Sequence, residues 1–390
     1  MIARTINQPI LEAATQMPVV SLTGPRQSGK TTLVQSVFSD YKYVSLEDPV
    51  TRLFAIEDAK GFLESYGHHL IIDEVQYAPK LFSYIQLYVD EKRENGLFIL
   101  TGSQHFLLLE KITQSLAGRV AIFHLLPFSL DEIKKFPEQA INLEQLIFKG
   151  SYPRLYDQGT LPKVFHPAYI QTYLERDVRQ ISNIGDLTSF QAFMKLCASS
   201  TGQLLNMNRM ATDLGVSMPT VKRWLSVLEA SFIIFLLPPY FRNFRKRIVK
   251  SKKLYFLDTG LACFLLNIKS PDQITFHYAK GALFENWVIC ELLKLQYNRG
   301  NQPELYFWQD KTGHELDVLM DINGQLKAME IKSAKTLRAD FFQNFTYFQK
   351  VSNIPREDCF LLYGGTENQV RQSGQVVSWD KLSELFSEGS

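Results

Sequence analysis

Residues Gly24-Pro25-Arg26-Gln27-Ser28-Gly29-Lys30-Thr31 follow the apolar run Val19-Val20-Ser21-Leu22. The pattern G-x-x-x-x-G-K-T constrains a chain strongly, because it works only between a strand and a helix. Val19 to Leu22 supply the strand, and Thr31-Thr32-Leu33-Val34-Gln35-Ser36-Val37-Phe38 the first helical turns. Glycines at 24 and 29 let the backbone curl so that successive N–H groups point at phosphate oxygens. The helix N-terminus adds its partial positive charge. Lys30 is expected to reach the β- and γ-phosphates, and the Thr31 hydroxyl to ligate Mg²⁺. Gly24 through Thr32 therefore form an expected ATP site; a glycine-rich turn without a ligand is the competing reading.

A chain of 390 residues is long enough for two to four domains. An apolar fraction of 45% with 21% charged residues permits ordinary globular cores. The net charge is only +2, so any nucleic-acid surface must come from local clustering. Cys197, Cys263, Cys290 and Cys359 are far apart and lack zinc-finger spacing, which suits buried thiols in a reducing compartment. The opening Met1-Ile2-Ala3-Arg4 runs toward the first strand without a long apolar core, and Ser231 to Phe241 is too short to span a bilayer. A cytoplasmic, soluble protein is expected.

Beyond the loop, strands and helices alternate. Tyr43-Val44-Ser45-Leu46 reads as a strand, and Thr51 to Glu64 as a helix-like run. His69-Leu70-Ile71-Ile72-Asp73-Glu74 is an apolar run ending in two acids. A buried parallel strand of this kind puts its terminal acids beside the bound phosphates. Asp73 is expected to hold the Mg²⁺ hydration shell and Glu74 to orient or deprotonate the attacking water. After the strand at Leu97-Phe98-Ile99-Leu100, Thr101, Ser103 or Gln104 either senses the γ-phosphate or satisfies a tight turn. Leu116-Ala117-Gly118-Arg119-Val120 offers Arg119 as an arginine finger, in cis or from a neighbouring subunit; a plain surface charge is the alternative.

The runs G-P-R-Q-S-G-K-T-T, L-I-I-D-E-V-Q, L-T-G-S-Q and L-A-G-R resemble a prokaryotic family of AAA+-type ATPases with a C-terminal domain of unknown function. The resemblance implies an ATPase fold with a small helical lid, and it favours Arg119 as a finger. It does not supply a biological role.

From Ser129 to about Ser200 the pattern is mainly helical, and Glu175 and Arg179 form an i,i+4 pair in a Y-L-E-R-D-V run that also resembles the family. Leu204 to Leu228 reads as a helix-turn-helix: one helix ends at Gly215, and Ser217-Met218-Pro219 opens another. Val221, Trp224, Leu225 and Leu228 share one face while Lys222 and Arg223 project elsewhere, as recognition-helix side chains would. Plain packing is the alternative. Arg242, Arg245, Lys246, Arg247, Lys250, Lys252 and Lys253 follow without an acid, interleaved with aromatic residues. Segment 242–253 reads as a basic wing tracking DNA phosphates, or else as a hairpin edge guarded by lysines.

In the last third, Gly281 to Val288 opens a helix that carries Glu285. Glu315-Leu316-Asp317-Val318 and Gln325-Leu326-Lys327-Ala328-Met329-Glu330-Ile331-Lys332 flank Asn323-Gly324, a strong hairpin signal. A two-residue loop there places Asp317 opposite Glu330 and Glu315 opposite Lys332, all on one face. Paired carboxylates repel unless a positive group sits between them. The arrangement D…E-x-K with an upstream helix acid resembles the PD-(D/E)XK nuclease site. In that reading Asp317, Glu330 and Glu285 bind Mg²⁺ while Lys332 positions the water. A hairpin laced by salt bridges is the alternative.

The expected fold is therefore an α/β multidomain protein. It comprises a P-loop AAA+-type parallel-sheet core (1–128), a helical lid (129–200), a winged helix (201–268) and a restriction-endonuclease-like α/β domain (269–390). The expected activity is Mg²⁺-dependent ATP hydrolysis coupled to DNA binding and metal-dependent cleavage. The rivals are a nucleotide-switched regulator or scaffold with a nuclease-like domain that cuts nothing, and a small-molecule kinase. A finger acting in trans would require a homo-oligomer.

Overall fold

The computed structural model describes residues 2–103, 115–137, 142–174, 187–240, 251–322 and 324–386. Helix α1 (Asn7–Gln16) comes first and leads into β1 (Val19–Thr23). The opening residues thus enter a helix, where a strand was expected. The reason is the i,i+4 spacing of Ile6, Ile10 and Ala14, whose shared face is buried in one cluster with Leu33 and Val34. Helix α2 (Lys30–Val37) follows the loop, then β2 (Lys42–Ser45), β3 (Leu70–Asp73), α3 (Leu81–Lys92), β4 (Phe98–Gly102) and β5 (Val120–His124).

These five strands form one parallel sheet in the order β2-β3-β4-β1-β5. β1, β3 and β4 are buried along their whole length, as two-sided parallel strands require. All five strand C-termini point the same way, so the loops that carry chemistry collect on one edge. The helix-like run after β2 is two helices, Pro49–Glu57 and Ala59–Tyr66. Asp58 ends the first and caps the second by accepting from Gly61 N at 2.8 Å.

Short helices follow, beginning with α4 (Leu130–Ile133) and including α5 (Leu187–Ser199). The pair α6 (Met207–Leu214) and α7 (Met218–Ala230) has the expected anatomy. Asn206 and Ser217 cap the two N-termini, Gly215 closes α6 in the left-handed region, and Pro219 sits in the first turn of α7. Val221, Trp224, Leu225 and Leu228 are buried, and Lys222 and Arg223 are exposed. An antiparallel pair, β6 (Ile234–Leu237) and β7 (Lys253–Phe256), follows. Residues 175–186 and 241–250, which include Glu175, Arg179 and most of the basic segment, lie outside the described residues.

The C-terminal part adds α8 (Lys280–Tyr297) and a six-stranded mixed sheet. Its strands are β8 (Leu305–Gln309), β9 (Glu315–Ile322), β10 (Gln325–Lys332), β11 (Cys359–Tyr363), β12 (Gln369–Arg371) and β13 (Gly374–Ser378), ordered β12-β13-β11-β10-β9-β8. Gln325 pairs with Ile322 and Met329 with Val318, the register expected of a two-residue turn at 323–324. One apolar core runs from Leu126 through α5, α7 and α8 to Leu385, so the middle and C-terminal segments share their interior. Among the described residues no helix is long and apolar enough to cross a membrane.

Asn286 of α8 locks this helix to β7. Its Oδ1 accepts from Phe256 N at 2.7 Å and its Nδ2 donates to Phe256 O at 2.6 Å. Asn286→Ala leaves Phe256 N buried without this partner and Phe256 O with only the Cys290 thiol, so urea unfolding should show a loss of about 1–3 kcal/mol.

Candidate functional site

The phosphate loop owes its shape to backbone conformations that side chains resist. Gly24 has φ +151°, and a Cβ there would stand 2.2 Å from Leu125 O. Gly29, with φ +93°, begins α2, and Gln27 has φ +60°. Lys30 is buried and folds back over the loop, donating to Gly24 O at 3.0 Å and Pro25 O at 2.8 Å. Burial pulls its pKa down to about 8, against the charges of Glu74 and Asp73.

Asp73, at the end of β3, gathers three hydroxyls. Thr31 Oγ1 donates to its Oδ2 at 3.0 Å and Tyr43 OH to the same oxygen at 2.8 Å, while Thr101 Oγ1 donates to Oδ1. Burial and that bond raise the Tyr43 pKa, so the phenol stays protonated. Glu74 holds a left-handed backbone conformation (φ 54°, ψ 44°). Its Oε2 accepts from Ser103 Oγ at 3.1 Å and from Gln76 Nε2. Thr31 and Asp73 thus present hard oxygen donors side by side, which suits Mg²⁺. Sequence reading missed Tyr43, since only strand order places β2 beside β3, and Gln76, which stands two residues after Glu74 in the same run. Thr101 and Ser103 had been weighed as phosphate sensors or turn residues, and here they hold the two acids. Gln104 lies outside the described residues.

A cavity of about 100 Å³ lies beside the loop, lined by Arg4, Asn7, Gly29, Thr32, Phe128 and Pro153. Pro25, Arg26 and Ser28 complete the loop; Pro25 and Ser28 are buried and Arg26 half-buried.

Arg119 lies elsewhere. Its carbonyl accepts from Val19 N, at the start of β1, and its guanidinium grips Asp90 of α3 at 2.6 and 2.8 Å. The phosphate loop leaves the other end of β1, some five residues or roughly 17 Å away. Arg119 thus stands at the end of β1 away from the phosphate loop of its own chain. The L-A-G-R run places the arginine before a strand but does not show that this strand pairs parallel with β1, and so not that the arginine lies away from the loop.

The second cluster forms where β7, α8, β9 and β10 meet. Lys332 Nζ stands 2.7 Å from Glu330 Oε2 and 3.6 Å from Asp317 Oδ2. Asp317 Oδ2 also accepts from Ile331 N at 2.7 Å, and Glu330 Oε1 from Asn344 Nδ2 at 2.9 Å. Lys253, buried in β7, bonds Glu315 and stands 3.6 Å from Glu285, which also accepts from Tyr255 OH. Burial and the neighbouring Asp317 raise Glu285 to about 7 and Glu330 to about 8. Burial works against both lysines' charge, yet the surrounding acids hold their pKa values above the ordinary lysine range.

Two expectations change here. Among the described residues, no three acidic, histidine or cysteine side chains converge closely enough to hold a metal ion. Glu285, Asp317 and Glu330 therefore do not fit the three-acid Mg²⁺ set; two lysine ammonium groups sit among the acids. Lys253, counted with the DNA-facing basic segment, is buried in this cluster and cannot track a phosphate backbone. Strand alternation turned it inward.

Three family models match stretches of the chain. Residues 16–134 match the family model described as AAA domain, residues 140–272 that described as Domain of unknown function (DUF8612), and residues 280–382 that described as Domain of unknown function (DUF4143). The chain is 30% identical over 334 residues to "Uncharacterized protein Rv2008c" of Mycobacterium tuberculosis and to "Uncharacterized protein Mb2031c" of Mycobacterium bovis, covering 82% of this chain and 71% of each relative. The chain belongs to their family. This chain carries a P-loop ATPase domain of AAA type at residues 16–134. Among solved structures, the Walker-type ATPase PABY2304 of Pyrococcus abyssi aligns at 17% identity with a TM-score of 0.44, covering 67% of this chain and 94% of that one. AMPPCP-bound DnaA from Aquifex aeolicus aligns at 14% and 0.31, covering 57% and 85%.

The cluster's buried acids make stability pH-dependent. Glu330 has a folded pKa of about 8, above its ordinary 4.5. Its favourable contribution is thus complete below pH 4.5 and lost as pH rises through 8. Glu330→Gln should raise unfolding free energy at about pH 8.5, by on the order of 2 kcal/mol, and change it little near pH 5.

Proposed function

We propose that this protein hydrolyses ATP with Mg²⁺ and uses the nucleotide cycle to switch a charged C-terminal binding domain. The carrying observation is the Thr31–Asp73 hydrogen bond at 3.0 Å, beside a buried Lys30 that folds over the loop. Lys30 would exchange its two carbonyl partners for β- and γ-phosphate oxygens, where its charge stabilises the leaving group. Thr31 and Asp73 would hold the Mg²⁺, which neutralises the developing phosphate charge. Glu74, held by Ser103 and Gln76, would orient the attacking water and accept its proton. The cavity beside Gly29 would take the base, with Phe128 and Arg4 against it. Arg119 would act between two copies, reaching a neighbour's nucleotide from the far pole of the sheet.

For the C-terminal domain, the nuclease-like strand register supports a nucleic-acid partner, and the lysine-bridged acids favour binding over cleavage. Helix α7 supports the same partner, because Lys222 and Arg223 are exposed beyond its buried face, as in a winged helix. Contacts of this kind are salt-dependent.

ATP hydrolysis by the purified chain, with and without duplex or single-stranded DNA, tests both parts. Lys30→Ala should abolish turnover and Glu74→Gln should slow it at least about 100-fold while leaving ATP bound; an active Lys30→Ala enzyme would sink the assignment. DNA should bind in a salt-dependent manner and stay intact on a gel. New fragments that vanish in Asp317→Ala would overturn the binding role in favour of a nuclease.

A further inference from the structure

Four buried charges link the C-terminal segment to the phosphate loop. Lys294 and Glu291 lie about one turn apart on α8, both 2% exposed, with Nζ 2.8 Å from Oε1. Lys294 Nζ also donates to Phe128 O and Ser151 Oγ, each at 2.9 Å. Glu291 Oε2 accepts from Leu130 N at 2.7 Å. The pair therefore holds the chain on both sides of Ser129, the N-cap of α4. Ser129 and Glu132 close a capping box, and Glu132 Oε1 accepts from Thr5 N at 2.8 Å and Arg4 Nε at 3.0 Å. Arg4 then donates to Ser28 O of the phosphate loop at 3.0 Å and to Leu126 O at 2.8 Å, with its guanidinium over the Phe128 ring.

Adhesion alone does not call for this arrangement. Desolvating four charges is expensive, and apolar side chains of similar volume hold segments together at least as well. A fully bonded polar network adds direction. It sets the positions of Phe128, Arg4 and the Ser28 carbonyl, and Arg4, Phe128 and Gly29 line the cavity beside the loop. We infer that Glu291 and Lys294 are positioning residues of the nucleotide site, acting through residues 128–132 and Arg4 without touching the nucleotide. The inference rests on the reading of the loop as an ATP site. It makes α8 a shared part, because Glu285 stands on the same rigid helix, about 14 Å from Lys294 along its axis.

The test is a titration of the full chain with a fluorescent ATP analogue and Mg²⁺, well below the unfolding midpoint. Wild type, Lys30→Ala, the charge-neutral double variant Glu291→Gln/Lys294→Met, and the milder Ser151→Ala are compared, with folding checked by circular dichroism. The double variant should bind about tenfold more weakly, and Ser151→Ala about threefold. The ATP KM should rise more than kcat falls. A purely structural role would lower the melting temperature and leave Kd unmoved, so a folded double variant within twofold of wild type overturns the inference. If the double variant does not fold, an unchanged Kd in Ser151→Ala overturns it. Wild type that fails to bind, or Lys30→Ala that binds equally well, would instead overturn the nucleotide-site reading, and the inference with it.

Discussion

The Asp73 carboxylate accepts hydroxyl protons from Tyr43 on β2, Thr31 on α2 and Thr101 on β4, while standing itself at the tip of β3. An acid buried to 5% exposure is tolerable only when its oxygens are satisfied, and here three separate elements supply the donors. The bonds therefore act as a pin at the carboxyl edge of the sheet. They hold the first turn of α2 against β3, and with it Lys30 and the whole phosphate loop. The strand order makes this possible: β4 lies between β1 and β3 and brings Thr101 within reach.

The same electrostatic constraint shapes the other half of the molecule. Acids at 285, 315, 317 and 330 are drawn to one place by strand alternation and by the packing of α8 on β7 and β10. Their mutual repulsion is relieved by two lysines from different strands, Lys253 of β7 and Lys332 of β10. Deeper in the core, Lys294 and Arg4 do the same for Glu291 and Glu132. These buried charges are compensated residue by residue; Glu291–Lys294 and Glu330–Lys332 are local pairs, whereas Arg4–Glu132 and Lys253–Glu285 join partners distant in sequence.

How far the sequence was legible follows from that distance. The phosphate loop, the Asp73–Glu74 pair and the helices at 207–214 and 218–230 are local features, each written in a short run of residues with its own caps and turns. The register of β9 on β10 was also legible, because a two-residue turn leaves one pairing for the whole ladder. Helix α1 was overlooked, although the spacing of Ile6, Ile10 and Ala14 was there to be read. The pole of the sheet that Arg119 occupies was not legible, for a different reason. The arginine's motif shows that it precedes a strand, while only the parallel pairing of β5 with β1 shows that it lies at the pole away from the loop.

The sequence by itself determined the chemistry available at residues 24–31 and 73–74, since glycine, lysine and acid at these spacings allow few local conformations. Tertiary structure alone decided which charges meet. It turned Lys253 from a basic stretch into the partner of Glu285 and Glu315, and it kept three acids from closing into a metal site. It also carried Glu291 and Lys294 to residues 128–130, beside the cavity next to the phosphate loop. The physical reason is that a charge pair depends on separation in space and on burial, and a linear order of residues fixes neither until the strands are paired and the core is closed.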